Sequence, residues 1–348
     1  YFSLNAIMAA GGTNSSIENQ GAINMSCITT LMRASNGASV KNSGDIKATT
    51  NTTKYYMIAT LEADGKNSTA VNAAGGSITL TTGSTPYGEG GVLLYPIAWY
   101  SNTVYGMLAY NNAAVFNDAG AEISLYGAGL YGMAASKGTA LNAGSIYVDG
   151  FKQTLDADGN IIRESYWAPS DRRVSSSGMV AGSSNSGSGS ATVTNTGTIT
   201  VHNAGFGMSA LSGGTAINQG TINLTSDENV GTETPLLVGM AATAGGTAIN
   251  SATGVINIDA SYGQAFYADG SSYIINNGQI NLNGSPMDDQ DTHMGSTPGD
   301  QLWLQVLAGS GDSDTQTSAS GFISVTPLAN YGNETLNVNV DAKSWLYN

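Results

Sequence analysis

Apolar and polar residues alternate along much of this chain in short runs, and nine of these runs end in an asparagine. In the clearest copy, the run Thr-Ala-Ile-Asn at 215–218 is followed by Gln-Gly and then by Thr-Ile-Asn-Leu at 221–224. Alternation with a period of two predicts β-strands, and a glycine between two such runs predicts a turn. The pattern therefore predicts short strands joined by tight turns.

The asparagines recur at a regular spacing. The shortest intervals, Asn19 to Asn42 and Asn195 to Asn218, are both 23 residues long. A repeat of this length accommodates three short strands and three turns and indicates a solenoid. We predict an all-β fold, a right-handed three-stranded parallel β-helix of about ten to twelve coils, about 50–60 Å long at roughly 4.8 Å per coil. The repeated asparagines are Asn19, Asn42, Asn72, Asn117, Asn142, Asn195, Asn218, Asn250 and Asn276.

A second signature, Gly-Met followed by small residues, precedes several of the asparagines, at 106–109, 132–135, 207–210 and 239–242. Alternation through these runs predicts inward-facing methionine and alanine from one strand and inward-facing aliphatic residues from another. Because an amide both donates and accepts, we expect the asparagines of successive coils to form a ladder. We expect the glycine after each asparagine to turn the corner with positive φ.

Longer intervals between asparagines predict insertions. We place them at about 82–100, 149–173, 225–235 and 283–300, within a single β-helical domain that spans residues 1–348. Irregular coils or a cap are expected at about 301–348. Because insertions in solenoids usually decorate one face, we expect these loops to lie together and to mark the binding face.

Composition narrows the choice of partners. The formal net charge is −14, from 25 acidic and 11 basic residues, which disfavours nucleic acid and anionic lipid as partners. Cys27 is the only cysteine, so no internal disulfide forms. No run of about 18 apolar residues predicts a membrane-spanning helix. The start at Tyr1 indicates a processed chain or a segment of a longer one.

The run from Gly207 to Leu224 contains Gly-Thr-Ala-Ile-Asn and then Gly-Thr-Ile-Asn-Leu. It resembles the repeat of Gram-negative autotransporter adhesins, in particular the passenger domains of the AIDA-type and self-associating members. The resemblance covers roughly residues 1–282. It implies export through the periplasm, display on the bacterial surface by an outer-membrane β-barrel outside this sequence, and a function in adhesion and virulence.

Signatures of catalysis are weak. His202 and His293 do not lie near any serine or cysteine motif, and G-x-S-x-G does not occur. The run Gly-Asp-Ser-Asp at 311–314 lacks the second glycine of the Gly-Asp-Ser-Gly motif that protease autotransporters carry. We predict no enzymatic activity, no catalytic residue and no cofactor. A polysaccharide lyase or hydrolase is the less favoured alternative, because some β-helices cleave polysaccharides.

Two acidic segments were considered as metal sites. The run 156–160 spaces three oxygen ligands like a calcium loop, but Ile161 and Trp167 occupy the positions where that loop needs glycine and glutamate. Flanking apolar pairs instead predict a β-hairpin with an Asp-Gly turn. The acidic run 288–293 is interpreted as a solvated loop. We therefore predict no metal site.

Basic and aromatic residues that could bind a ligand are concentrated in two of the insertions. Four of the eleven basic residues lie within 149–173, next to aromatic residues. Aromatic rings stack on sugars and guanidinium groups bind sulfate or carboxylate, so these loops are candidates for a host glycan or sulfated glycosaminoglycan. The alternative, that these aromatic residues only anchor the loops on the helix, stays open. The candidate ligand-binding residues are Lys152, Arg163, Tyr166, Trp167, Arg172, Arg173, Tyr87, Tyr95, Trp99 and Tyr100.

The polar flank of the rod is a second candidate surface. Acids and amides recur there from coil to coil and are candidates for contacts with fibronectin or another matrix protein, or with a second copy of the chain. Self-association would promote aggregation and biofilm formation, and it is the alternative function. A merely solvated face is the competing interpretation for each residue. The candidate flank residues are Asp45, Asp118, Glu122, Asn223, Asp227, Asn257, Asp259 and Asn281.

Overall fold

The computed structural model contains β-strands and no helices among the residues that it describes, and three strands form each coil of a solenoid. The described residues are 6–25, 30–50, 58–82, 104–127, 129–155, 161–165, 176–182, 191–226, 237–260, 264–269, 272–282, 305–307, 322–330 and 334–341.

The strands follow each other in a fixed order of three per coil. The first three coils comprise β1 (Met8–Gly11), β2 (Ser16–Asn19), β3 (Ala22–Met25), β4 (Met32–Ser35), β5 (Ser39–Asn42), β6 (Asp45–Thr50), β7 (Ile58–Asp64), β8 (Thr69–Asn72) and β9 (Ser77–Thr82). The next three comprise β10 (Val104–Tyr110), β11 (Ala114–Asn117), β12 (Glu122–Tyr126), β13 (Leu130–Ser136), β14 (Thr139–Asn142), β15 (Ser145–Asp149), β18 (Ser177–Ala181), β19 (Thr192–Asn195) and β20 (Thr198–His202), with the hairpin β16 (Phe151–Leu155) and β17 (Ile161–Ser165) between β15 and β18. The last comprise β21 (Gly205–Leu211), β22 (Thr215–Asn218), β23 (Thr221–Thr225), β24 (Leu237–Thr243), β25 (Thr247–Asn250), β26 (Val255–Asp259), β27 (Gln264–Asp269), β28 (Tyr273–Asn276) and β29 (Gln279–Leu282), followed by β30 (Gln305–Leu307), β31 (Phe322–Asn330) and β32 (Glu334–Asp341).

Corresponding strands of successive coils pair in parallel and form three sheets. The first sheet runs β1-β4-β7-β10-β13-β18-β21-β24-β27-β30. The second contains β2, β5, β8, β11, β14, β19, β22, β25 and β28, and the third contains β3, β6, β9, β12, β15, β20, β23, β26 and β29. This arrangement confirms the predicted right-handed three-stranded parallel β-helix.

The described strands make nine complete coils and part of a tenth, where we expected about ten to twelve. Strand β31 pairs with both β28 and β29, so it follows the path of the second and third sheets in one strand. Strand β32 then runs antiparallel to β31. An antiparallel pair interrupts the coiling path, because the next coil would need a parallel strand.

Identical aliphatic residues stack inside the third sheet. The second position of all nine of its strands is isoleucine, and eight of these side chains are at most 1% exposed. Each such burial contributes about 2–3 kcal/mol relative to an exposed side chain. The nine residues are Ile23, Ile46, Ile78, Ile123, Ile146, Ile199, Ile222, Ile256 and Ile280. Met208, Ala210, Ile222 and Leu224 are all buried, as the alternation predicted.

The predicted asparagine ladder is present in the second sheet. The Nδ2 atom of each asparagine donates to the Oδ1 atom of the asparagine in the next coil, in eight hydrogen bonds of 2.7–2.9 Å. The ladder ends at Asn276, because the strand position above it is Val325. Within the described part of the chain, Asn276 Nδ2 is buried and has no hydrogen-bond acceptor.

The glycine after the asparagine is required mainly by contact between coils. We expected positive φ at these glycines. This was wrong for Gly197 and for six of the other glycines, although Gly75 and Gly120 do have a φ of 81°. A Cβ atom on Gly197 would lie 2.1 Å from the carbonyl oxygen of Gly144 in the coil below. Positive φ is common instead at the turn between first and second strands, as at Asn36 and Gly37.

Over the described ranges, no helix is long and apolar enough to cross a lipid bilayer.

Candidate functional site

The four insertions that the sequence predicted all leave the rod at one corner. They lie between β9 and β10, between β15 and β18, between β23 and β24, and between β29 and β30. Each of these gaps joins the third strand of one coil to the first strand of the next. We call this edge of the rod the insertion corner. The loops therefore share one edge, which lies between the first and third sheets.

The predicted glycan-binding residues belong to two of these insertions, the one between β9 and β10 and the one between β15 and β18. Lys152 and Arg163 lie on the antiparallel hairpin β16–β17, where Lys152 pairs with Glu164 and Gln153 pairs with Arg163. This pairing confirms the hairpin that the sequence predicted around the Asp-Gly turn. The other candidates lie outside the described residues: Tyr166, Trp167, Arg172, Arg173, Tyr87, Tyr95, Trp99 and Tyr100.

A row of aromatic side chains on the third sheet borders the insertion corner. The ring centroids of Tyr126 and Tyr147 lie 5.8 Å apart, and those of Tyr147 and His202 lie 6.3 Å apart. All three side chains are partly exposed. The His202 Nδ1 and Thr225 Oγ1 atoms lie 2.9 Å apart and share a hydrogen bond. We call Tyr126, Tyr147 and His202 the aromatic row.

Sequence reasoning did not assign the aromatic row. The signal was present in the repeat, because Tyr126 and His202 occupy the last position of the third strand, on either side of Asp149. Asp149 is fully buried between them in the ladder and immediately precedes the 151–165 hairpin. The row therefore lies at the base of the insertion that carries most of the clustered basic residues.

The outer face of the first sheet is covered. Its outward-facing side chains are largely apolar and form two buried clusters. Parallel sheets that are buried on both faces have nearly continuous apolar strands, and these strands show that pattern. The buried outward residues include Ala59, Leu108, Ala134, Val180, Phe206, Val238, Ala241 and Tyr267.

An ionic cluster lies near the N-terminal end of that face. Arg33 forms ion pairs with Asp64 and with Glu62, whose Oε1 lies 3.2 Å from Arg33 Nε. Thr30 donates a hydrogen bond of 2.9 Å to Glu62 Oε2, and Asn111 Nδ2 donates one of 2.9 Å to Asp64 Oδ1. Burial raises the pKa of the Glu62 carboxyl above its ordinary value, although the Arg33 charge opposes this shift. Sequence reasoning missed this cluster because Arg33 and Glu62 are 29 positions apart and meet only through coil stacking.

Four of the eight polar-flank candidates are hydrogen-bonded within the rod itself. Asn257 donates to Asn223 over 2.8 Å, and Asn281 donates to Asn257 over 2.7 Å, which makes a second amide ladder on the outer side of the third sheet. Asp45 accepts a hydrogen bond of 2.8 Å from Ser77. The other described flank candidates, Asp118, Glu122 and Asp259, are exposed, and Asp227 lies outside the described residues. In the described part of the chain, no three His, Cys, Asp or Glu side chains are grouped closely enough to hold a metal ion.

Comparison with known proteins identifies the family. The model of the family described as the BigA third pectate lyase-like domain matches residues 2–254, and the chain belongs to this family. The chain is 56% identical over 351 residues to BigA of Salmonella typhimurium, which carries the provisional description of a surface-exposed virulence protein. That match covers 100% of this chain and 18% of the relative. No solved structure matches the chain.

The resemblance that the repeat suggested is therefore confirmed at the level of the family. The repeat and its long insertions also resemble UpaB, a surface adhesin of uropathogens, but the relative that the comparison identifies is BigA and not UpaB.

Proposed function

We propose that this chain is a rod-shaped segment of a bacterial surface virulence protein and that it binds host carbohydrate at the insertion corner. The observation that supports this proposal is the common exit of the four insertions, which places both ends of each of these insertions at the same edge of the rod. A rigid solenoid that presents loops along one edge is a common binding architecture. Surface exposure is taken from the description of the relative, of which this chain spans a minor part.

The aromatic row supports carbohydrate as the ligand. Tyrosine and histidine rings present apolar surface together with a polar group, which suits a sugar, since a sugar has both apolar C–H faces and hydroxyl groups. Successive rings in the row are separated by roughly one coil spacing, so a chain-like ligand that lies along the rod would meet several of them.

The basic residues of the adjacent insertion favour an anionic glycan. Four of the eleven basic residues of a chain with net charge −14 lie within 149–173. Arginine binds sulfate and carboxylate groups through paired N–H donors. Sulfated glycosaminoglycans combine these groups with sugar rings, so they are the ligand class that we propose.

The test is retention of the 348-residue chain on immobilised heparin under a salt gradient, with a glycan array in parallel. Replacing Lys152, Arg163, Arg172 and Arg173 by alanine should lower the eluting salt concentration strongly. The matched control, in which Lys47, Lys54, Lys66 and Lys137 become alanine, removes the same charge elsewhere and should elute nearly unchanged. Equal losses in both variants would show that only overall charge matters, and the assigned site would then be wrong.

A second experiment distinguishes aromatic stacking from charge as the source of the affinity for glycan. Tyr147→Ala should weaken binding by about tenfold, since removing one aromatic contact costs about 1–2 kcal/mol. Thr200→Ala, at the position that pairs with Tyr147 in the next coil, is the control. Immobilised fibronectin is included because a matrix protein is the other proposed partner. Binding to fibronectin without binding to any glycan would refute carbohydrate as the ligand.

Carbohydrate cleavage is the less favoured alternative function, and the environment of Glu62 is the observation that supports it. A carboxyl group with a raised pKa next to an arginine is suited to general acid catalysis. Against it, Glu62 is already engaged by Thr30 and Arg33. Incubation with a panel of polysaccharides tests the alternative. Product release by the native chain that Glu62→Gln abolishes would replace binding by catalysis as the function.

A further inference from the structure

The outer face of the second sheet carries no charged side chain from the third coil to the ninth. Each strand there presents its first and third residues outward, while the second residue and the ladder asparagine point inward. We call these fourteen outward positions the second-sheet face. Its first column is Thr69, Ala114, Thr139, Thr192, Thr215, Thr247 and Tyr273, and its third-position column is Val71, Phe116, Leu141, Thr194, Ile217, Ile249 and Ile275.

This face is open as well as uncharged. All fourteen side chains are partly or fully exposed, and Tyr273 is 49% exposed. Eight of the fourteen are aliphatic or aromatic, and the other six are threonine. Outward side chains of a solenoid cover each other along the ladder, so partial exposure is usual in such a column. An open, uncharged stripe in which eight of fourteen side chains are apolar indicates an interaction surface.

The outer faces of the first and third sheets do not combine exposure with the absence of charge. The outer face of the first sheet is apolar but buried. The outer face of the third sheet carries charges at Asp45, Lys47, Glu122 and Asp259. Among the described side chains, the second sheet alone presents a face that is both open and uncharged.

The absence of charge on the second-sheet face favours a second copy of this chain as its binding partner. Two copies with a net charge of −14 each repel one another, and they approach at least cost through faces that carry no charge. A column that is mostly threonine lies beside a column that is mostly aliphatic, so two copies can place apolar side chains against apolar side chains across a two-fold interface. The stripe stops where charges appear, at Lys41 and Glu18, which pair with each other over 2.9 Å in the first two coils.

We propose that the second-sheet face is an interface between two copies of the chain. The polar flank is not required for this contact, because many of its amide groups are paired within the rod. The interface lies on a different sheet from the carbohydrate site at the insertion corner, so a copy that is paired in this way still presents that corner.

The area of the second-sheet face limits the affinity of the proposed dimer. Seven coils at about 4.8 Å and four-residue strands at about 3.3 Å per residue give a face of about 34 by 13 Å, or roughly 400 Å². Two such faces bury about 800–900 Å² in total, below the range of stable complexes and within that of weak, transient ones. We expect dissociation constants on the order of 10–100 µM. Because salt screens the repulsion between acidic rods, association should strengthen as salt rises.

Sedimentation velocity of the 348-residue chain tests the proposal, over concentrations from about 5 to 500 µM, a range that brackets the expected constant. The native chain should form dimers as concentration rises. The double variant Ile217→Glu with Ile249→Glu should weaken dimerisation at least tenfold. The control, Thr79→Glu with Thr200→Glu, adds the same charge at the third position of two third-sheet strands that are not adjacent, and it should keep the dimer.

Folding of the variants is checked independently. Glutamate is compatible with this column, since Glu18 occupies the same position in the first coil. A milder pair, Ile217→Thr with Ile249→Thr, copies the native Thr194 and should also weaken the dimer while circular dichroism stays unchanged. A chain that stays monomeric at every concentration, or a dimer that is lost equally in the control, overturns the proposal. Retention on heparin should be unaffected by the isoleucine variants, so failure of this interface is distinguishable from failure of the carbohydrate site.

Discussion

The asparagine ladder makes a quantitative prediction about where a substitution is most costly. Asn218 lies in the middle of the ladder and Asn276 at its end, and both are fully buried. Asn218 accepts from Asn195 over 2.9 Å and donates to Asn250 over 2.8 Å. Asn276 accepts from Asn250 over 2.7 Å, but its own Nδ2 finds no acceptor in the described part of the chain.

The magnitudes follow from these contacts. Asn218→Ala removes two hydrogen bonds of about 1 kcal/mol each and deprives the buried Asn250 Oδ1 of its amide donor, at about 1–2 kcal/mol more. Asn195 Nδ2 keeps long contacts of 3.3 and 3.4 Å to the Gly197 and Thr221 carbonyls. The loss of its acceptor on Asn218 therefore adds little further cost in unfolding free energy. We expect a total cost of about 3 kcal/mol. Asn276→Ala breaks one ladder bond and the hydrogen bond that Gly278 N–H donates to Asn276 Oδ1, and it leaves Asn250 Nδ2 without that acceptor. Because it also removes the unpaired donor, we expect a smaller cost of about 2 kcal/mol.

Urea unfolding followed by circular dichroism measures the difference between the two variants. Hydrogen exchange of the β22 and β25 amides localises it, because solenoid coils interact mainly with their nearest neighbours. If both alanine variants lose the same stability within about 0.5 kcal/mol, ladder continuity contributes nothing beyond side-chain burial. The explanation given for the repeated asparagine would then be wrong.

Other predictions concern the turns and the ionic cluster. Gly197→Ala should cost more than about 3 kcal/mol or prevent folding, because its Cβ would overlap the Gly144 carbonyl, whereas Gly213→Ala has no atom within 4 Å and should cost only about 1 kcal/mol for its positive φ. Similar thermal midpoints for the two variants would contradict the steric explanation. The raised pKa of Glu62 means that the folded chain binds this proton more tightly than the unfolded chain. Its contribution to stability is therefore fully present below the unfolded pKa and is lost as pH rises through the folded pKa. Relative to Glu62→Gln, the native chain should lose unfolding free energy over the pH range that begins near the ordinary glutamate pKa of about 4.3 and extends upward through the raised pKa of the folded chain, as measured by urea titrations at each pH. A constant difference between the two proteins across that range would refute the assignment.

Much of the fold was predictable because the repeat is local and periodic. The asparagine, the isoleucine of the third strand and the methionine of the first strand recur in phase, and in a solenoid equal phase means direct contact. The predicted ladder and the buried faces of Met208 and Ile222 follow from that single fact. The steric role of Gly197 was not predictable, since the dihedral preference of glycine is a property of one residue, whereas the obstructing carbonyl belongs to another coil.

The candidate sites were predicted less completely, for the same physical reason. Clustering along the sequence identified the basic and aromatic insertion around Lys152 and Arg163. The row formed by Tyr126, Tyr147 and His202 was missed because its members are 21 and 55 positions apart. The uncharged second-sheet face was missed as well, because each strand contributes only two residues to it.

The sequence by itself determined the period, the all-β class and the residues that line the core, since alternation and repetition along the chain already encode which side chains face inward. Only the tertiary structure decided which outward columns are covered, paired or open. Those properties depend on the coils above and below, and on the corner at which the insertions leave the rod.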